Sequence, residues 1–166
     1  IEENATLTVS FIQQFMESEY DLLVIGAGPA GLAAARQAAS HGARVGIVER
    51  DRVGGDCVNY GCIPEKFMSF AAGFSRWFNA ANDCGWSEPQ RKFSWSEFMA
   101  AKNREIRHLN QTHLTHLQEA GVDFIRGFAT FVDPHRLAVG DRTLMAEKIL
   151  IAVGASDVKP DIPGTE

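Results

Sequence analysis

Between Tyr20 and Glu49 the chain reads strand, glycine turn, helix, strand, acid, and few folds accommodate that order. Tyr20-Asp21-Leu22-Leu23-Val24-Ile25 is a short apolar, β-rich run of the kind buried in a parallel sheet. It leads directly into Gly26-Ala27-Gly28-Pro29-Ala30-Gly31 and then an Ala-rich helical stretch, Leu32 to Ser40. Gly26 permits the tight turn, Gly28 lets a pyrophosphate approach the backbone, and Gly31 allows helix and strand to pack closely. The free N–H groups at the helix start then face the phosphates. A second strand, Arg44 to Val48, ends in Glu49, at the separation expected of an acid that binds a ribose hydroxyl pair. The bland alternative is a glycine-rich turn without a ligand. The glycine pattern alone would leave it standing, but the whole ordered series argues for a bound dinucleotide. Glu49 argues against a 2′-phosphate at that ribose, and spacing leaves NAD and FAD both open.

Close downstream, Gly54-Gly55-Asp56-Cys57-Val58-Asn59-Tyr60-Gly61-Cys62-Ile63-Pro64-Glu65-Lys66 sets two cysteines five positions apart. Five residues of regular helix rise about 7.5 Å, while a disulfide needs Cα atoms within roughly 7 Å. A Cys57–Cys62 bridge therefore requires a break in any helix there, and Gly61 supplies the freedom to bend. A thiolate near a helix start and a lysine is expected to have a lowered pKa and to be the better nucleophile. A structural disulfide is disfavoured in an intracellular protein. A metal site would need further ligands, and only Cys84 and scattered histidines are on offer, so no metal is expected. Cys84 reads as a small packing residue.

This segment resembles the redox-active disulfide motif of the FAD-dependent pyridine nucleotide–disulfide oxidoreductases, which is Gly-Gly-Thr-Cys, four residues, Cys, a hydrophobic residue, Pro, a variable residue, Lys. Gly54, Gly55, Cys57, Gly61, Cys62, Pro64 and Lys66 match; Asp56 stands where Thr is usual and Glu65 fills the variable slot. The resemblance implies that Cys57 is the interchange thiol, that Cys62 faces the flavin, and that Lys66 holds its ammonium near the reactive ring edge. It also implies that the first fingerprint belongs to FAD. The positions implied to hold the flavin are Gly26, Gly28, Pro29, Ala30, Gly31, Glu49 and Arg50 in the first unit. Gly54, Gly55, Asp56, Cys57, Cys62 and Lys66 follow in the dithiol segment, then Ala129, Ala152 and Gly154.

The remaining chain carries its own punctuation. Phe67 to Ala80 has helical spacing, and Asn82 to Lys92 reads as a loop. Ser94 or Ser96 is placed to cap a long helix with the apolar stripe Phe98, Ile106, Leu109 and Leu117, ending at Ala120-Gly121. Lys102, Arg104, Glu105 and Arg107 are expected on its solvated face. Val122 to Ile125 reads as a third parallel strand, and Lys148 to Ala152 as another buried one. Three short strands near Phe128–Val132, Arg136–Val139 and Thr143–Ala146 resemble the family's β-meander. Ala152-Val153-Gly154 lines up with its Ala-Thr-Gly segment, and Pro160-Asp161-Ile162-Pro163-Gly164 with its Pro-x-Ile-Pro-Gly exit. The expectation is an α/β, Rossmann-like FAD-binding domain: parallel sheet, β-meander insertion and helices. Four parallel strands would leave one flank uncovered and an exposed edge.

At 166 residues, 45% hydrophobic, the chain suits one domain. A net charge of −5 without a basic stripe argues against nucleic acid or an anionic membrane as partner. No apolar stretch approaches the ~20 residues needed to span a bilayer, and a cytoplasmic location is expected. The chain opens on Ile1, and Met16 lies just ahead of the first strand. Residues 1–19 are expected to be a poorly ordered extension, with a start at Met16 as one reading and a short helix from Leu7 to Met16 as another. Residues 20–166 would be the N-terminal part of the flavin domain, without nicotinamide or dimerisation domains.

Among family members the glutathione reductases are the most similar in Phe93-Ser94-Trp95, Asn103-Arg104-Glu105-Ile106, Leu109-Asn110 and Ala120-Gly121-Val122. Arg36 falls where those enzymes contact glutathione, His113 replaces a substrate-stacking tyrosine, and Pro29 replaces a serine. The resemblance thus implies a homodimeric full-length enzyme taking electrons from NAD(P)H to a small-molecule disulfide such as glutathione disulfide, this portion alone being inactive. A dihydrolipoamide dehydrogenase-like or mercuric reductase-like member, and a non-catalytic nucleotide-binding module, are the alternatives.

Overall fold

Strand β1 (Tyr20–Ile25) is apolar at adjacent positions, and both Leu23 and Val24 are fully buried. Adjacent residues point to opposite faces, so both faces of the sheet must be covered at this strand. The computed structural model describes residues 19–87 and 92–165; the expected N-terminal extension up to residue 18, and residues 88–91 of the expected loop, lie outside the described residues.

The chain continues through α1 (Pro29–Ser40), β2 (Val45–Glu49), α2 (Gly55–Asn59), α3 (Cys62–Asp83) and α4 (Trp95–Glu119). It then forms β3 (Asp123–Arg126), β4 (Ala129–Asp133), β5 (Arg136–Val139) and β6 (Arg142–Ile151). The six strands form one sheet in the order β3-β2-β1-β6-β5-β4. Four of them, β3, β2, β1 and β6, run parallel, with Val24 opposite Ile47 on one side and Leu150 on the other. β5 and β4 add on antiparallel. This is the expected Rossmann-like α/β architecture with its meander.

One face of the sheet packs Val24, Val45 and Ile47 against Leu32 and Ala35 of α1 and Leu117 of α4. The other packs Leu23, Val48 and Ile125 against Leu137, Val139 and Leu144 of the meander. The meander therefore covers the flank that a four-strand sheet would have left bare. Burying each such aliphatic side chain stabilises the fold by about 1.5–3 kcal/mol.

Three sequence expectations need correction. Cys84, expected as a small packing residue, is exposed at the end of α3. The strands read separately at Thr143–Ala146 and Lys148–Ala152 are one strand, β6. Residues 142–151 contain neither Gly nor Pro, so nothing breaks the extended backbone. The strand changes partner instead: Arg142 to Met145 pair antiparallel with β5, and Ala146 to Ile151 pair parallel with β1. Lys102, expected in solvent, is only 8% exposed. It lies one turn from both Phe98 and Ile106, so the helix's own period carries it onto the buried stripe, where its aliphatic stem can cover apolar surface. Arg104, Glu105 and Arg107 are exposed as expected.

The helix ends follow their signals. Pro29 opens α1 at a position where its missing N–H costs nothing. Ser94 caps α4, its Oγ accepting from the Glu97 N–H at 3.3 Å. Gly121, at φ 70°, carries the chain out of α4.

Candidate nucleotide and dithiol site

The glycine turn is built on close backbone approach. Gly26 has φ 103°, and a Cβ there would lie 2.4 Å from the Ala152 carbonyl oxygen at the end of β6. A Cβ on Gly31 would lie 1.9 Å from the Gly26 carbonyl oxygen and 3.2 Å from Val24 Cγ1, so helix and strand meet without room for a side chain. Gly28 is the residue before α1, with Pro29 and Ala30 in its first turn. Against this turn sits the second glycine pair. A Cβ on Gly55 would lie 2.6 Å from Gly28 Cα, and the Gly54 N–H donates to the Ala27 carbonyl at 2.8 Å. Fingerprint and dithiol segment are thus in backbone contact, on the same side of the sheet.

Glu49 closes the other side of the turn. One carboxylate oxygen accepts from the Ala27 N–H at 2.8 Å and the other from the Asp51 N–H at 2.7 Å. The acid is therefore held in place before any ligand arrives. It lines an open cleft of 380 Å³ together with Gly26, Arg50, Ala129 and Gly154. Ala152 adjoins that cleft through its contact with Gly26. Val153, read in the Ala152-Val153-Gly154 segment, also lines it, as do Phe128 and Ser156, which were not proposed as site residues from sequence. The Arg50 guanidinium carbon stands 5.8 Å from the Phe128 ring centroid, an arrangement with cation–π character. In sequence the only mark of Phe128 was an aromatic residue opening the strand expected at Phe128–Val132.

The dithiol turn is a helix broken where the spacing argument requires. α2 ends at Asn59, Tyr60 and Gly61 both donate their N–H to the Asp56 carbonyl at 2.8 Å, and α3 begins at Cys62. Asp56 is exposed, its carboxylate turned toward Gly61. Cys57 is half-buried, Cys62 and Lys66 are exposed, and both cysteines carry free thiols. A hydrogen bond to Cys62 is the main cause that holds the Cys57 thiol above its ordinary pKa, with desolvation adding to it; Lys66 opposes them more weakly. For Cys57 the direction is opposite to the expected lowering, because the hydrogen bond to Cys62 and desolvation outweigh the ammonium. Replacing Cys62 with alanine removes the leading cause, so the pH midpoint for alkylation of Cys57 is expected to move down toward an ordinary thiol. Iodoacetamide rates across pH check this; an unmoved midpoint would show that Cys62 does not control Cys57.

Asn59 anchors the turn from within. It is 5% exposed, and its amide donates to the carbonyls of Gly55 at 2.8 Å and Val53 at 3.2 Å. Its oxygen accepts from Asn110 of α4 at 3.0 Å. A buried amide so fully paired is costly to lose, about 1–3 kcal/mol for each group left unpaired. The pairing links residues far apart in sequence, which is why no local pattern announced it.

Arg36 is exposed on α1 and His113 partly buried on α4. The structure brings them within electrostatic reach: burial chiefly, then His116 and Arg36, push the His113 imidazole below its ordinary pKa. Among the described residues no group of three or more His, Cys, Asp or Glu is gathered as a metal site requires. No helix there is long and apolar enough to cross a membrane.

The family profile described as pyridine nucleotide-disulphide oxidoreductase matches residues 20–166. The chain belongs to this family. As a member of this family it is similar to the glutathione reductase of Nostoc sp., at 47% identity over 151 residues, 91% of this chain and 33% of that protein. The glutathione reductase of Burkholderia cepacia is 40% identical over 146 residues, 88% of this chain and 32% of its own length. The dihydrolipoyl dehydrogenase of Acholeplasma laidlawii is 34% identical over 152 residues, 91% of this chain and 45% of its own length. The chain thus spans about a third of the length of the glutathione reductases it matches.

Proposed function

We propose that this chain is the flavin-binding N-terminal portion of a flavoprotein disulfide reductase. In the complete protein electrons from NAD(P)H would reach a small disulfide such as glutathione disulfide through Cys57 and Cys62. The observation that carries this reading is the backbone contact between Ala27-Gly28 and Gly54-Gly55, which sets a phosphate-binding turn beside a dithiol. The residues fit FAD. Gly26 and Gly31 permit the close backbone contacts that shape the turn, the start of α1 offers free N–H groups to a pyrophosphate, and Glu49 lines the cleft where a ribose would lie. Bound there, a flavin would supply a carrier that takes electron pairs from a nicotinamide and passes them to sulfur.

The chain's own residues then perform thiol chemistry. Cys57, as thiolate, attacks one sulfur of the substrate disulfide; the other sulfur leaves and takes up a proton. Cys62 attacks Cys57 Sγ of the mixed disulfide, freeing the second substrate thiol and closing a Cys57–Cys62 bond. One disulfide is reduced to two thiols while two thiols become one disulfide. Lys66 lowers the cost of the Cys57 anion, since its charge acts on that thiol. Arg36 and His113 are proposed to meet the substrate. Phe70, Phe74 and Trp77 form an exposed aromatic row on α3, which supports a homodimeric complete protein.

The test is a visible spectrum and a thiol titration of the complete gene product. A flavin absorption band is expected, with two cysteines that react only after reduction. A folded, colourless protein would overturn the reading, as would cysteines that stay reactive after treatment with excess glutathione disulfide.

A further inference from the structure

We propose that Tyr60 is a positioning residue for the Cys57–Cys62 couple, its phenol tying the dithiol turn to the loop that leaves strand β2. The inference rests on the redox role proposed above. Tyr60 occupies the junction between α2 and α3, the stretch of backbone that decides how far apart the two sulfurs lie. It is 59% exposed, so burial does not fix its side chain. Two directional contacts do. The phenol donates to Asp51 Oδ2 at 2.7 Å, and the Arg52 guanidinium carbon stands 5.9 Å from the ring centroid. A hydroxyl donating to a carboxylate makes one of the stronger hydrogen bonds available to a protein. The same carboxylate raises the phenol's pKa, so Tyr60 keeps its proton.

Asp51 is itself held, because its N–H donates to Glu49, whose other oxygen accepts from Ala27. Hydrogen bonds thus run from the glycine turn through Glu49 and Asp51 to Tyr60, and so to the backbone between the sulfurs. On the inner side Asn59 makes the complementary attachment through its buried amide. With consecutive residues pinned on opposite sides, the turn samples few arrangements in which the sulfurs are apart. That raises their effective concentration toward one another and favours the disulfide.

The experiment is a redox titration of the complete gene product. Wild type, Tyr60→Phe, Asp51→Ala and the double variant are equilibrated in glutathione buffers, alkylated and read by mass. Each Cys57–Cys62 disulfide formed releases two electrons and two protons, converting one glutathione disulfide into two glutathione thiols. Tyr60→Phe is expected to lower the equilibrium constant for the disulfide about tenfold, which raises the potential by about 30 mV. Asp51→Ala should match it, and the double variant should shift no further. A Tyr60→Phe potential equal to wild type overturns the inference and leaves the proposed function intact. Independent, additive shifts overturn it too. A wild-type protein that forms no Cys57–Cys62 disulfide in any buffer removes both.

Discussion

Serine in place of Cys57 is expected to cut disulfide turnover by the complete protein at least about a thousandfold. The hydroxyl is nearly the same size, so the half-buried site need not rearrange. It does not ionise near neutral pH, and the thiolate is the attacking species. Without it no mixed disulfide forms, and Cys62 is left without its partner thiol. The raised pKa of Cys57 has a definite sign for the wild type. A thiol held above its ordinary value gains thiolate as pH rises, so the attack step should quicken on the alkaline side of neutrality. Stopped-flow reduction of a small disulfide across pH measures both effects. A serine variant keeping a tenth of wild-type turnover would remove Cys57 from the nucleophile's role.

Alanine in place of Gly31 should be the most damaging single methyl in this chain. Its Cβ would fall 1.9 Å from one backbone atom, the Gly26 oxygen, and 3.1 Å from another, the Gly26 carbonyl carbon. Neither is the end of a flexible side chain, and Gly26 is itself pressed against Ala152. Relief requires α1 to move off β1, opening the packing of Leu32 and Ala35 on Val24. A loss of about 3 kcal/mol or more is expected, together with loss of bound nucleotide. Gly42→Ala is the control: its φ of 86° carries the left-handed penalty of roughly 1–2 kcal/mol, but a Cβ there meets nothing within 4 Å. Urea unfolding of both variants in the complete protein separates clash from backbone preference. Equal midpoints would show that the strand–helix contact is not as close as described.

What sequence could reveal divides along range of interaction. The glycine turn, the acid at Glu49, the Ser94 cap and the break at Gly61 each depend on a few neighbouring residues, and each occurs where those residues placed it. The continuity of β6 was missed because its two halves carry different patterns for different partners: one pairs antiparallel with β5 nearby, the other parallel with distant β1. Lys102 was misread by residue type, although its spacing from Phe98 and Ile106 pointed inward. The Cys57 pKa was misjudged because a lysine is visible in sequence and a thiol–thiol hydrogen bond is not. The Asn59–Asn110 pair and the Tyr60–Asp51 bond join separate elements, and only the folded chain brings them together.

The partner change within β6 also bears on how the protein is born. β1, α1 and β2 are neighbours in the chain and can associate early, since closing a short loop costs little entropy. The wall supplied by Ala152 and Gly154 reaches Gly26 only after β6 has threaded in beside β1. A ribosome must therefore release residues beyond the end of that strand before a cofactor meets a finished cradle. Until then the apolar flank of β1 is open to other chains, and the seconds before β6 arrives are those in which the nascent polypeptide is most exposed to aggregation or chaperone capture.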